Sequence, residues 1–256
     1  MKVVAIVQAR MGSTRFPNKV MKPINGIPMI ELLLTRLSRS QAIDQIVLAT
    51  SVDPRNQPLI EHVSQLGFAC EQGSENDVLE RFVQAAEKHD ANIVVRISGD
   101  CPLVDPKLVD ECVDYFLEGK LDYLINSVPP TYPDGLDVEV VSLSALQRAN
   151  LESENSYDHE HVTPYIRAAG NFKTDCFQND EDLSRFRWTV DEPQDLEAIN
   201  NIFKHFAPEI HFGWKEVLNL QQKQPEMFEA NKHKRCNQGM RSTMDSGQTL
   251  WQRAKG

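Results

Sequence analysis

Val3-Val4-Ala5-Ile6-Val7, followed by Gln8-Ala9-Arg10-Met11-Gly12-Ser13-Thr14-Arg15-Phe16-Pro17-Asn18-Lys19, is the stretch on which the fold turns. Five consecutive apolar residues, mostly β-branched, read as a strand buried on both faces, the mark of a parallel sheet. The polar stretch after it reads as a long loop. Pro28 then fits a first helical turn, and Ile30, Leu33, Leu34 and Leu37 recur at helical spacing. Strand, loop at the strand's carboxyl end, and helix form the first unit of an α/β fold.

The same alternation continues outward. Gln45 to Thr50 reads as a strand, Pro54 to Leu66 as a helix stopped by Gly67, and a short strand follows near Phe68. Asn76 to His89 is predicted helical, Ile93 to Ile97 a further buried strand, and Asp105-Pro106 the start of a helix running to Gly119. This rhythm predicts a mostly parallel sheet with helices on both faces. Beyond Gly119 it changes. Strands are expected at 122–126, 138–141, 172–177 and 187–190, a polar helical stretch from Ser142 to Ala169, and a helix from Pro193 to Phe206. The expected division is a domain over 1–222 and a linker or tail over 223–256, where apolar periodicity is lost.

The chain has 256 residues, 41% hydrophobic and 25% charged, as in ordinary globular proteins. A net charge of −10 argues against a nucleic-acid partner. Charge is unevenly spread: residues 1–39 hold seven cations (Lys2, Arg10, Arg15, Lys19, Lys22, Arg36, Arg39) against Glu31 alone. A basic segment on an acidic body suits a small polyanion held locally. Five cysteines without a C-x-x-C pair argue against a disulfide framework or zinc ribbon. Neither a secretory signal nor a run approaching ~18 apolar residues is present. The expectation is a soluble cytoplasmic protein with no membrane partner.

In open parallel sheets ligands bind outside the carboxyl ends of the strands. Three clusters fall there. The loop after the first strand offers Gly12 and Ser13 for close backbone approach and Arg10, Arg15 and Lys19 as three cations, a composition suited to a triphosphate. Neither the Walker pattern nor the dinucleotide fingerprint is present. Asp100 follows Arg96-Ile97-Ser98-Gly99, where a carboxylate can reach a nucleotide-bound Mg²⁺ or simply cap a turn. Asp191 stands in Trp188-Thr189-Val190-Asp191-Glu192-Pro193-Gln194-Asp195, where it can share that metal or serve as a plain helix N-cap. Asp137 and Glu139 share a strand face and could bind sugar hydroxyls or a metal, or form an ordinary polar face. In Asp158-His159-Glu160-His161 the two histidines do not face one another on a helix, which favours structural roles.

The loop from Ala9 to Lys19 closely resembles the opening motif of the sugar nucleotidyltransferases that make CMP-activated acidic sugars. The resemblance is strongest to the spore-coat polysaccharide cytidylyltransferase branch, related to the CMP-sialic acid and CMP-Kdo synthetases. Asp77-Val78-Leu79-Glu80-Arg81, Arg96 to Leu103, Tyr132 to Val140, Glu160-His161-Val162-Thr163-Pro164-Tyr165 and Val190 to Leu196 also match. The resemblance implies a glycosyltransferase-A-like α/β fold and Mg²⁺-dependent transfer of CMP from CTP to a sugar, sugar acid or sugar phosphate, with pyrophosphate released, in surface polysaccharide synthesis. It places Ala9, Arg10, Gly12, Ser13, Arg15, Lys19, Arg81 and Asp100 at the nucleotide and Asp100 and Asp191 on Mg²⁺. Arg10, Arg15, Lys19, Asp100 and Asp191 would carry catalysis, and Tyr132, Asp137, Glu139 and His161 would face the sugar. The alternatives are a glycosyltransferase using Asp137-Val138-Glu139 as a D-x-D-like metal motif, and a non-catalytic nucleotide-binding module of a fused protein.

Ser246 to Gly256 resembles the start of a glutamate-1-semialdehyde-aminomutase-like aminotransferase, which implies a PLP-dependent domain fused after this chain. The reading also allows a homodimer.

Overall fold

A computed structural model describes residues 1–234; the tail resemblance lies outside the described residues. The expected alternation is present, and the elements are numbered here in chain order. β1 (Val3–Gln8) leads through a small hairpin, β2 (Pro23–Ile24) and β3 (Ile27–Pro28), into α1 (Met29–Leu37). β4 (Gln45–Ser51), α2 (Gln57–Gln65), β5 (Ala69–Gly73), α3 (Val78–Lys88), β6 (Ile93–Ser98) and α4 (Pro106–Gly119) follow. Asp105 caps α4, its carboxylate accepting from Lys107 N and Leu108 N.

The second half adds β7 (Tyr123–Ile125), β8 (Glu139–Ser142), α5 (Leu143–Glu152), α6 (Ser156–His161), α7 (Pro164–Ala168) and β9 (Thr174–Cys176). It closes with α8 (Pro193–Phe206) and α9 (Trp214–Lys223). The main sheet runs β5-β4-β1-β6-β8-β7-β9. All its pairings are parallel except those of β8, which is antiparallel to β6 and β7.

β1 shows why an unbroken apolar run is needed. Val3, Ala5 and Val7 pack into one core with α1, α2, α4, α8 and α9, while Val4 and Ile6 pack into the other with α3 and α5. Every side chain of that run is buried, on alternating faces. Among the described residues no helix is long and apolar enough to cross a membrane.

Two expectations are corrected, and the structure adds two elements. Arg187 to Val190 is not a strand: it makes a single bridge, Asp134 to Arg187, and then hangs on β6's loop through Val190 N donating to Asp100 O at 2.8 Å. Gly135 makes this approach possible, since a Cβ there would lie 2.5 Å from Thr189 N. The helical stretch from Ser142 to Ala169 divides into α5, α6 and α7, with Pro164 opening the last. α9 was not foreseen, because a glycine at its N-cap and a polar composition hide the buried Trp214, Val217 and Leu220. Residues 225–231, read from sequence as part of the tail, form a 3-10 helix packed on α8 and α9, with Phe228 and Asn231 buried.

Candidate active site

The loop after β1 is pinned before any ligand is considered. Met11 N donates to Asn56 Oδ1 at 2.8 Å, Asn18 N to Met11 O at 3.0 Å, and Phe16 N to Ser13 Oγ at 3.3 Å. Asn56 is buried and itself held by Ser51 at the end of β4. Ala9 is buried against the start of the β6 loop, where Gly99 is required: a Cβ on it would lie 2.6 Å from Ala9 Cβ. Glycine here lets the β1 and β6 loops touch, which brings residues 10–19 beside Asp100.

Lys19 closes the arrangement. Its Nζ donates to Asp100 Oδ2 at 2.8 Å and to Asp191 Oδ1 at 2.8 Å, and Arg15 reaches Asp191 Oδ1 at 3.0 Å. Lys19 is mostly enclosed (11% side-chain exposure), whereas Arg15 stays open at 42%. Burial disfavours the Lys19 charge, but Asp100 and Asp191 outweigh it and raise the ammonium above its ordinary range. For Asp100 burial likewise opposes ionisation, and Lys19 overrides it to hold the carboxyl below its usual range.

The N-cap alternative for Asp191 is settled by α8. The carboxylate of Asp195 accepts from Asp191 N and Glu192 N, each at 3.0 Å, so Glu192 occupies the cap position and the Asp191 side chain pairs instead with Lys19, Arg15 and Arg187.

Arg10 is exposed and pairs with Glu75 at 3.4 Å. Arg81 is buried, donates to Ser74 O at 2.8 Å, and lies close enough to Arg10 and Arg96 for their charges, after burial itself, to help lower its pKa to about 10. Gly12 faces the Arg55 guanidinium with room for a Cβ. One member of the basic N-terminal segment is not available to a ligand: Arg36 is buried and donates to Phe212 O at 3.0 Å and to Ile210 O.

The residues expected to face a sugar lie in different settings. Glu139 is buried at the start of β8, taking hydrogen bonds from Arg96, from Tyr123 Oη at 2.6 Å and from Thr163 Oγ1 at 2.6 Å, with Arg167 at 3.9 Å. That set of partners occupies the second carboxylate of the D-x-D-like reading. Burial opposes ionisation of Glu139, but Arg96 and Arg167 keep its carboxyl below the usual range. Asp137 precedes the strand and is pushed well above its usual range by burial and by Asp134, Glu139 and Asp100. Tyr132 is a core residue, stacked on Phe177 and edge-on to Trp214. His161 packs its ring on Tyr157, and its Nε2 is buried with no hydrogen-bond partner. His159 ties α6 to the N-cap of α3 through Asp77 at 2.8 Å, a structural contact as expected.

Mg²⁺ fits the donor set on one observation: an ammonium already sits in hydrogen-bond contact with both Asp100 and Asp191, so one cation can be shared by the two carboxylates. No group of three or more His, Cys, Asp or Glu suited to a metal occurs among the described residues. Two carboxylates completed by phosphate oxygens and water is the arrangement Mg²⁺ commonly takes.

Sequence reasoning missed Arg187. It is buried, donates bidentately to Asp195 at 2.8 and 2.9 Å, and reaches Asp191 and Asp134 at 3.3 Å each. The spacing of Asp195 after Pro193 signals the capping box, but no local pattern signals the arginine.

Residues 4–234 match the cytidylyltransferase family. The chain is 30% identical to the spore coat polysaccharide biosynthesis protein SpsF of Bacillus subtilis, over 88% of this chain and 95% of that one. It is 33% identical to a 3-deoxy-manno-octulosonate cytidylyltransferase of Trichlorobacter lovleyi over 46% of each. The solved structure of a cytidylyltransferase from Leptospira borgpetersenii superposes with a TM-score of 0.86 at 31% identity, covering 90% of this chain and 97% of that one.

Proposed function

The chain belongs to the cytidylyltransferase family, and from that premise we propose that it transfers CMP from CTP to an acidic sugar or sugar phosphate for surface polysaccharide synthesis. An acceptor oxygen attacks the α-phosphorus, either a sugar-acid hydroxyl that gives up its proton to solvent or the ionised phosphate oxygen of a sugar phosphate; the bond from that phosphorus to the bridging oxygen of the β-phosphate breaks, and pyrophosphate leaves. The observation that carries the reading is the contact of Lys19 with both Asp100 and Asp191 beneath a loop bearing Arg10 and Arg15.

In this reading Asp100 and Asp191 hold Mg²⁺, which when bound neutralises charge on the phosphate under substitution. Arg10, Arg15 and Lys19 bind the β- and γ-phosphates and stabilise the leaving pyrophosphate. Ala9, Gly12 and Ser13 let the nucleotide approach the loop backbone, and Arg81 supports its far side. Asp137 and His161 line the acceptor side, with Tyr132 and Glu139 shaping it from behind. We place the reaction in the cytoplasm. We further propose that the protein forms a homodimer, tested by sedimentation, and that a PLP-dependent domain is fused to it, tested by the absorbance of the full-length protein with PLP.

The deciding experiment is a pyrophosphate-release screen of each nucleoside triphosphate against sugar acids and sugar phosphates. Release with CTP, an acidic sugar and Mg²⁺ is expected. Release with a different triphosphate would overturn the base assignment, and liberation of a nucleoside mono- or diphosphate from a sugar nucleotide would make the protein a glycosyltransferase.

A further inference from the structure

The C-terminal 3-10 helix reaches the candidate metal site through buried side chains. Asn231 Nδ2 donates to Asp195 Oδ1 at 3.0 Å and to Arg187 O at 3.2 Å. Asp195, fully buried, grips Arg187, and Arg187 NH2 is shared between Asp195 Oδ2 and Asp191 Oδ2. Asp191 is thereby held at both oxygens: Oδ2 faces Arg187, and Oδ1 faces Lys19 and Arg15.

A carboxylate free to rotate would offer either oxygen to a cation; this one is set to offer Oδ1. We propose that Asn231, acting through Asp195 and Arg187, is a positioning residue for Asp191, so that the helix at 225–231 belongs to the catalytic apparatus. The inference rests on the reading of Asp191 as a cation ligand. Burial gives the chain its stiffness: Arg187, Asp195 and Asn231 are each 5% exposed or less. Outer partners that orient a metal-binding carboxylate act on affinity without touching the metal.

The test compares Asn231→Ala, Asn231→Ser and Lys232→Ala, the last an exposed neighbour whose partner is Glu229. Mn²⁺ binding is read by electron paramagnetic resonance in the presence of unreactive α,β-methylene CTP, and kcat and KM by pyrophosphate release. Asn231→Ala should raise the Mn²⁺ Kd about tenfold, the low end for such outer partners, and lower kcat with the KM for CTP unchanged. Asn231→Ser, which keeps a donor on a shorter arm, should fall between, and Lys232→Ala should match the wild type. Unchanged Mn²⁺ affinity and kcat in Asn231→Ala, with only a lower Tm, would overturn the inference while leaving the reaction intact. Weakened Mn²⁺ binding in a protein that releases no pyrophosphate would support the positioning and sink the reaction. A wild type that binds no Mn²⁺ would overturn both.

Discussion

At the carboxyl ends of β1 and β6 charged side chains pair around Lys19 with two arginines open to solvent, while around the start of β8 they face inward and pair with one another. In the first region Lys19 holds Asp100 and Asp191 together, yet Arg15 and Arg10 remain 42% and 50% exposed. In the second, Glu139 is enclosed by Arg96, Tyr123, Thr163 and Arg167. A group that water or ligand can reach exchanges partners cheaply, whereas a buried charge must be matched by fixed partners or be costly. The first region leaves two arginines open to solvent, and the second pairs its charges with one another and holds the sheet together.

The largest test of that contrast is at the aspartates. Asp100→Asn and Asp191→Asn should keep the fold and lose about 10²- to 10³-fold in kcat, the scale of removing one preorganised transition-state contact. Pyrophosphate release and thermal melts together check it. Full activity in both variants would reduce the cluster around Lys19 to structural ion pairs.

Glu139→Gln should do the opposite. It leaves Arg96 and Arg167 without their carboxylate in a buried setting, at a cost of about 3 kcal/mol. At ~2–4 °C per kcal/mol for a chain of this size, Tm should fall by roughly 6–12 °C. CTP affinity, measured by calorimetry on the folded variant, should stay within about twofold of the wild type, well under the tenfold that corresponds to 1.4 kcal/mol. A large loss of CTP affinity at unchanged Tm would move Glu139 to the ligand side.

The two regions also differ in how far they could be read from sequence. Arg10, Arg15, Lys19 and Asp100 were legible because each follows a strand recognisable from its own apolar run, and in a parallel sheet strand ends converge on one edge. Asp191 was found through the same rule, although the strand assigned to it is only a bridged extended segment. The setting of Glu139 was not legible: its partners come from β6, β7, α7 and the turn at Thr163, and they meet only because β8 runs against its neighbours. A periodic pattern shows which side of a strand is polar, not which distant side chains close over it. Tyr132 illustrates the same limit, since its neighbour Trp214 opens a helix the pattern concealed.

A smaller effect is expected from Arg15→Ala. Its guanidinium reaches Asp191 at 3.0 Å while staying 42% exposed, so an incoming triphosphate could meet it. A charge-assisted contact is worth about 1.5–3 kcal/mol, and exposure favours the lower figure, so the CTP Kd should rise roughly tenfold. Tm should be unchanged. Unaltered CTP binding in both Arg15→Ala and Arg10→Ala would remove the loop from the phosphate site.

Asp137 lies between the two regions, and its titration shows where the boundary runs. Burial, then Asp134, Glu139 and Asp100, raise its carboxyl well above the ordinary 3.8. The folded state therefore keeps a proton that the unfolded chain releases, and the stability contributed here is full below pH 3.8 and declines as pH rises toward the folded value. Asp137→Asn removes that decline. The variant should gain stability over the wild type, seen as a higher Tm, with the gain larger at pH 8 than at pH 5. Melts at the two pH values decide it. A variant less stable than the wild type at both would mean that the Asp137 carboxylate is held by attraction to Arg96 rather than opposed by its acidic neighbours, placing it with the closed network around Glu139.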